Sequence, residues 1–195
     1  MTPLVPPDAD PTAALARFAA SAPADVAYAV VDSPIGPMLA ARTARGLACL
    51  AYEDLHGGTD ALLERLAAEL SPRILHAPSK LDAVRRELDE YFAGTRTAFE
   101  LELDFALMKP FARKILAATA RIPFGTTSTY GDVAAEAGSP GAARAAGGAL
   151  GSNPIPIVVP CHRVLARNGT LHGYTGGLHR KQRLLELEGV LTRSM

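Results

Sequence analysis

The residues best able to do chemistry form one short run, Pro160-Cys161-His162-Arg163-Val164. A thiol is a weak nucleophile until it loses its proton, and an unperturbed cysteine, with a pKa of about 8.5, is only a few per cent thiolate at neutral pH. Activation needs a base or a positive field close by. His162 and Arg163 follow Cys161 directly, and Glu188 is available to orient a histidine. The same residues also fit a structural cysteine, because a lone cysteine is usually a small buried hydrophobe. Neighbours on a regular strand point to opposite faces. Cys161 and His162 can therefore act together only where the chain leaves strand geometry, or through a bridging water.

Cys49 is the only other cysteine and lies far upstream, so it is expected in the core. Two cysteines are too few for a disulfide framework, and no Cys/His cluster has zinc spacing. No metal and no cofactor are expected, and a reducing, cytoplasmic compartment is the default.

The elements that must position this run lie just upstream. Three prolines, Pro154, Pro156 and Pro160, bracket an apolar stretch that ends on the cysteine. Before it come Thr129–Ala137, a break at Gly138-Ser139-Pro140, and then Gly141–Leu150. Two short helices joined by a tight Gly-containing turn are the pattern of a helix-turn-helix. The second is made of small residues (Ala142, Ala143, Ala145, Ala146, Gly147, Gly148, Ala149), with Arg144 its only long side chain before Leu150. So little bulk fits a helix pressed against a partner and, equally, one packed tightly inside. Lys109–Arg121 reads as a further helix with Phe111, Ile115 and Leu116 inward, stopped by Pro123 and Gly125.

Residues 1–104 have a different character. Val26–Val31, Pro37–Arg42 and Gly46–Tyr52 have strand composition, with turns at Asp32-Ser33-Pro34 and Arg45-Gly46, and predict a small antiparallel sheet. Thr59–Leu70 places Leu62, Leu63, Leu66 and Leu70 on one helical face. Ser79 is the expected N-cap of a second helix carrying Leu81, Val84, Leu88, Tyr91 and Phe92. Nothing in this half reads as catalytic. Met1–Pro23 is rich in Ala and Pro, without the basic start or continuous apolar stretch of a signal peptide. Thr12–Ala20 fits a short helix in an otherwise disordered tail. No apolar run approaches the length of a membrane span.

The expected class is α/β of the α+β kind. A tail over residues 1–24 leads into a small N-terminal α/β domain with a short antiparallel sheet, residues 25–104. A mainly helical C-terminal domain containing the helix-turn-helix follows over residues 105–195. Formal net charge is zero, yet residues 1–108 hold 9 basic and 16 acidic side chains, a balance of −7, and residues 109–195 hold 11 and 4, a balance of +7. The asymmetry fits either a chance excess over solvated surface or a basic half facing a polyanion.

Pro160-Cys161-His162-Arg163-Val164 resembles the active-site motif of the O6-alkylguanine-DNA alkyltransferases, also called methylated-DNA–protein-cysteine methyltransferases. The similarity runs from Ile122-Pro123-Phe124-Gly125-Thr126 through Tyr130-Gly131 and Ala142-Ala143-Arg144-Ala145 to Asn153-Pro154. It continues through Gly173-Tyr174-Thr175-Gly176-Gly177-Leu178 to Leu184-Leu185-Glu186-Leu187-Glu188-Gly189. Upstream, Asp32-Ser33-Pro34-Ile35-Gly36-Pro37 and Glu90-Tyr91-Phe92-Ala93-Gly94 resemble the family's N-terminal domain, so most of the chain is covered.

The resemblance implies DNA repair by direct reversal. The alkyl group of O6-alkylguanine, and of O4-alkylthymine, moves irreversibly to Cys161, once per molecule, after the base is flipped out of double-stranded alkylated DNA. A monomer without cofactor or membrane association is implied. By the same resemblance His162 and Glu188 form a relay that takes the thiol proton through a water. Tyr130 donates a proton to the leaving base, and Asn153 ties the helix-turn-helix to the active-site strand. Arg144 is the finger that fills the vacated stack, with Ala143, Ala145, Gly147 and Thr129 as further DNA contacts. Val164, Tyr174, Thr175, Gly176 and Leu150 form the base pocket.

The chain departs from the family pattern at Thr129, where serine is commoner, at Arg183, often tryptophan, and over Leu107–Ala112. His172 lies near the pocket with no assigned role. Three other classes remain to be separated: a cysteine hydrolase, which needs an oxyanion hole; a helix-turn-helix regulator, which needs several polar base readers rather than Arg144 alone; and a lesion-binding relative without chemistry, against which Cys161 itself argues.

Overall fold

The structure, a computed structural model, describes residues 25–55 and 57–192. The expected tail over residues 1–24, with its helix at 12–20, lies outside them. The first sheet is buried on both faces, with runs of consecutive buried residues in β2 and β3: β1 (Val26–Val31), β2 (Met38–Thr43) and β3 (Gly46–Tyr52) pair antiparallel in sequence order. A short β4 (Ile74–His76) then joins β1 in parallel, giving the order β3-β2-β1-β4. Three residues carry too little periodicity to announce a strand, which is why β4 escapes the sequence. Gly46 turns the chain between β2 and β3 at φ 138°, and a Cβ there would run into the backbone of Glu102 and Leu103. That closeness lets the Leu47 amide donate to Glu102 (2.8 Å) and the Asp104 amide to Leu47 (2.8 Å), covering the β3 edge.

Helix α1 (Gly58–Glu69) covers one face of the sheet, setting Leu62 and Leu66 against Val26, Leu39, Ala41 and Cys49. Helix α2 (Asp82–Phe92) sends Val84, Leu88 and Tyr91 to the larger core. Ser79 does not cap α2. Pro78–Leu81 form a 3-10 turn in which the fixed φ of Pro78 starts the coil early, so Leu81 occupies the N-cap position without a side-chain bond.

The C-terminal part contains α3 (Pro110–Thr119), α4 (Tyr130–Glu136), α5 (Ala143–Gly151) and α6 (Leu178–Leu187). Two-residue strands β5 (Ser128–Thr129) and β6 (Val164–Leu165) pair in parallel and hold the start of α4 against the chain leaving Cys161. Thr129 caps α4, its hydroxyl accepting from the Asp132 amide at 3.2 Å. Gly138 (φ 74°) and Gly141 (φ 87°) make the turn into α5, which begins at Ala143, two residues later than its composition predicts. α5 packs one face of its small residues inside and leaves the other exposed. Ala146, Ala149 and Leu150 are buried against α3 and α4, while Arg144, Ala145 and Gly148 face outward.

One hydrophobic core runs through both parts, joining Leu50, Tyr52 and Tyr91 to Ile115, Ile155 and Leu184. Among the described residues, no helix is long and apolar enough to cross a membrane.

Candidate active site

The site is built around the loop between α5 and Cys161, and Asn153 shapes it. Its Oδ1 accepts from the Ile155 amide (3.0 Å), and its Nδ2 donates to the Val159 carbonyl (2.9 Å) and to Cys161 Sγ (3.1 Å). Pro154, Pro156 and Pro160 have no amide hydrogen to satisfy. The remaining donors close on the loop itself, Val159 on Ile155 (2.9 Å) and Cys161 on Val159 (2.8 Å). The turn drives Ile157 to φ 72°, a conformation that costs a β-branched residue about 1–3 kcal/mol and persists only where its surroundings hold it. From β3, the Leu50 amide donates to the Pro154 carbonyl at 2.7 Å. Cys161–Arg163 then coil into a 3-10 turn. The chain thus leaves strand geometry at the cysteine, as joint action of Cys161 and His162 requires.

Behind the thiol stands a buried polar cluster. Glu188, at the C-cap of α6, accepts through Oε1 from His162 Nε2 (2.8 Å), the Tyr91 hydroxyl (2.7 Å) and Arg163 Nη2 (2.9 Å). Its Oε2 accepts from Arg163 Nε at 2.8 Å, and Arg163 Nη1 donates to the Ile122 carbonyl at 2.5 Å. A carboxylate offers only lone pairs, so the hydrogen of a neutral His162 belongs on Nε2. His162 Nδ1 is then a lone-pair nitrogen, buried and without a hydrogen-bond partner among the described residues.

The electrostatics follow from exclusion of water. Burial pushes the Cys161 thiol up to about 11, against the opposing pull of the Asn153 amide and the Lys181 charge. Burial also lowers His162, more than its hydrogen bond to Glu188 raises it, so at neutral pH the ring is a free base. Burial alone would raise Glu188, but the His162 and Arg163 hydrogen bonds overturn it and hold the carboxyl at about 2. Lys181 is buried under the thiol's field, with Nζ donating to the carbonyls of Val164 (2.7 Å) and His172 (2.9 Å), and burial lowers it to about 8.

A cavity of about 600 Å³ is lined by Tyr130, Ala143, Arg144, Gly147, Tyr174 and Thr175 among others, and two of these, Tyr130 and Tyr174, lie within the field of Cys161. The Tyr130 ring faces Gly147, where an added Cβ would meet it at 3.8 Å, and its hydroxyl reaches the His172 carbonyl only at 3.5 Å. The Thr175 hydroxyl donates to the Gly151 carbonyl at 2.5 Å. Not every residue expected in the pocket lines it. Leu150 and Val164 are core residues and Gly176 lies behind the wall; Thr129, expected as a DNA contact, is the N-cap of α4.

Several groups at the site have roles that the sequence did not assign them. Arg163 is the bidentate partner of Glu188, and its position beside His162 was the available signal. Tyr91 and Tyr52 correct the expectation that residues 1–104 take no part in the site, since Tyr91 bonds Glu188 and the Tyr52 hydroxyl lies 3.0 Å from that of Tyr174. Neither carries a local mark, because both read as ordinary apolar positions of a helix and a strand. Lys181 looks like one basic residue among several on α6 and turns out to be fully buried. Among the described residues, no group of three or more His, Cys, Asp or Glu could hold a metal ion.

Known proteins share this arrangement of elements. A family model for the 6-O-methylguanine DNA methyltransferase DNA-binding domain matches residues 110–190, and one for the 6-O-methylguanine DNA methyltransferase ribonuclease-like domain matches residues 26–105. The methylated-DNA–protein-cysteine methyltransferase of Mycobacterium tuberculosis is 41% identical over 164 residues, 83% of this chain and 91% of that protein. A crystal structure of the M. tuberculosis O6-methylguanine methyltransferase superimposes with a TM-score of 0.72 at 39% identity, over 84% of this chain and 92% of that one. M. tuberculosis OGT in complex with DNA gives a TM-score of 0.71 at 40% identity, over 83% and 92%.

Proposed function

This chain belongs to the methylated-DNA–protein-cysteine methyltransferases, a family of DNA-repair enzymes, and from that premise we propose that it moves the alkyl group of O6-alkylguanine in duplex DNA onto Cys161, irreversibly and once per molecule. The observation that carries this reading is the relay behind the thiol. A cysteine held at about 11 cannot ionise by itself near neutral pH, and His162, kept neutral with its Nδ1 lone pair unused, is the base that can take its proton. A water between Sγ and Nδ1 would carry that proton. The resulting imidazolium is stabilised by Glu188, itself clamped by Arg163 and Tyr91.

The bond changes balance without a cofactor. Sγ attacks the alkyl carbon, the C–O6 bond breaks, and its electron pair passes into the purine. Tyr130, at the mouth of the cavity, supplies a proton to the ring nitrogen, so that an anionic purine never has to leave. A thioether is a poor leaving group, and Cys49 lies in a separate aliphatic cluster, too remote to resolve the product. Each molecule therefore acts once. The O6 position of a stacked base cannot reach a buried thiol, so the nucleotide must turn out of the duplex at a cost of a few kcal/mol. Arg144, exposed at the rim of the cavity on a helix face otherwise bare of bulk, is the side chain we assign to fill the gap. O4-alkylthymine presents the same kind of ether carbon and is a second substrate on this account.

The charge split supports a DNA-facing C-terminal half, though less strongly than its balance of +7. Arg163 and Lys181 are buried, and Arg180 is bonded to Asp54, which leaves Lys109, Lys114, Arg144 and Arg167 among the exposed cations able to meet phosphate.

The test is to incubate the protein with duplex DNA carrying O6-methylguanine and weigh its peptides. One methyl group on the peptide containing Cys161, and no more than one lesion repaired per molecule, is the expected result. Multiple turnovers, or label elsewhere, would contradict it.

A further inference from the structure

Tyr52 lies on β3, outside the elements that carry the relay and the helix-turn-helix, yet it is 2% exposed and packed into the wall of the cavity. Its hydroxyl is 3.0 Å from the Tyr174 hydroxyl, and the two rings meet edge to face with centroids 6.5 Å apart. Gly176 sits between them so tightly that a Cβ would collide with both rings. The Tyr52 ring also carries the Arg180 guanidinium, 4.2 Å from the ring centre. Arg180 in turn bonds the carbonyls of Gly176 (3.1 Å) and Ile35 (2.8 Å) and the Asp54 carboxylate (2.7 Å). The phenol is thus fixed at its ring by Gly176 and Arg180 and at its tip by Tyr174. A Cys161 thiolate is near enough to raise both the Tyr52 and Tyr174 phenols further, after burial has already raised them.

This wall is part of a partition. Tyr174 lines the first cavity, and Tyr52 lines a second cavity of about 610 Å³. The second space lies between β3 and α1 on one side and the Lys109–Ala112 and Gly151–Pro156 segments on the other. Gly151 and Thr175 border both spaces, and beside them Tyr174 faces the first while Gly176 and Tyr52 face the second, so the Tyr52–Gly176–Tyr174 stack forms part of the divide.

We infer that Tyr52 is a specificity-determining residue that acts by positioning Tyr174: the hydrogen bond between the two phenols closes the space behind the reacting carbon and limits the size of alkyl group the protein accepts. The inference rests on the alkyl transfer proposed above. A methyl group on O6 makes no demand on the wall. A benzyl or longer chain must either stop at Tyr174 or displace it towards the rear cavity, and the Tyr52 hydroxyl opposes that displacement. A neutral buried hydrogen bond is worth enough to change a rate by roughly five- to tenfold when it must break in one transition state and not in another.

The experiment compares second-order rate constants for O6-methylguanine and O6-benzylguanine in the same duplex, for the unaltered chain and for Tyr52→Phe. Phenylalanine keeps the ring, its contact with Gly176 and its place under Arg180, and removes only the tether. The expected outcome is a rise of about five- to tenfold in the benzyl-to-methyl ratio. Tyr174→Phe should raise the ratio by a similar factor, and the double variant should add little, since each cuts the same bond. A structural role for Tyr52 would lower both rates together and leave the ratio fixed. An unchanged ratio in both single variants, with methyl transfer still measurable, would overturn the inference alone. Failure of the unaltered chain to transfer either group would overturn the proposed activity, and the inference with it.

Discussion

Cys49 on β3 and Cys161 on the 3-10 turn are alike in most measures used to judge a cysteine. They are 1% and 8% exposed, and burial pushes each thiol up to about 11. Their neighbours differ. Cys49 packs with Val26, Leu39, Ala41, Leu62 and Leu66, and its nearest charges, Arg65 and Glu69, oppose each other. Cys161 touches the Asn153 amide, lies in the field of Lys181, and adjoins a neutral histidine braced by a carboxylate. Burial and a raised pKa are therefore no sign of inertness by themselves. On the proposed mechanism, what separates a core cysteine from a nucleophile is whether a proton acceptor has been buried with it.

The largest effect that could test this contrast is at Glu188. Glu188→Gln should lower transfer by about 100-fold or more, because a neutral amide cannot stabilise the imidazolium. Stability should also fall, by about 3–5 kcal/mol, since the buried Arg163 loses its counter-charge. The measurements are the single-turnover rate and the denaturant midpoint. A variant that kept its rate would mean the Cys161 proton leaves by another route, and the distinction from Cys49 would lose its cause.

Acid should come next. His162 accepts a proton only while neutral, and burial holds its pKa below the ordinary 6.5. The rate should be level down to about pH 6.5 and decline only below it, by about tenfold per pH unit once the ring is protonated. Stability should weaken in the same direction. A buried histidine with a lowered pKa favours the unfolded chain below 6.5, and Glu188, held at about 2, adds a further loss as pH falls from 4.5 towards 2. A rate already falling between pH 8 and 7 would refute a neutral resting histidine.

Tyr91→Phe should have a smaller effect. It deletes one of three donors to Glu188 Oε1 and keeps the ring packed against Phe92, Phe99 and Phe124. A hydrogen bond to a charged group is worth about 1.5–3 kcal/mol, so stability should drop by that order. With less of its charge spread onto donors, Glu188 should hold an imidazolium more strongly, and the acid limb of the rate profile should move to higher pH. A drop in stability with no movement of that limb would leave Tyr91 a core residue and nothing more.

The contrast between the cysteines also marks what could be seen in the sequence. The Cys161-His162-Arg163 run and the helix pair before it are local patterns, and three strands and the main helices stand within a few residues of their predicted limits. Tyr91 and Tyr52 were not legible as parts of the site. Each approaches it through a fold contact across roughly a hundred residues of chain, and an apolar position on a helix or strand looks the same whether its hydroxyl meets a carboxylate, another phenol or water. Leu150 erred the other way. It closes a helix whose outer face borders the cavity, but helical spacing turns it inward with Ala146. Ser79 failed as a cap because Pro78 brings the coil forward, a competition between two local signals that composition does not rank.

The smallest expected effect on transfer, and the one that completes the contrast, is at Cys49 itself. Among the described residues no buried base adjoins it, so Cys49→Ala should leave the single-turnover rate unchanged while costing about 1 kcal/mol of stability for the lost packing. Cys49→Ser should be worse for the fold, about 1–3 kcal/mol, because a hydroxyl placed among aliphatic side chains would need a hydrogen-bond partner that the cluster lacks. Its rate, measured where the variant remains folded, should again match that of the unaltered chain. At position 161 the same two replacements should do the opposite, abolishing transfer while disturbing stability less in the serine case, since Asn153 Nδ2 stands 3.1 Å from the sulfur and can meet an oxygen. If serine proved equally disruptive at both positions, the polar setting of Cys161 would not extend to the atom that reacts, and the cause assigned to its reactivity would have to be sought in His162 alone.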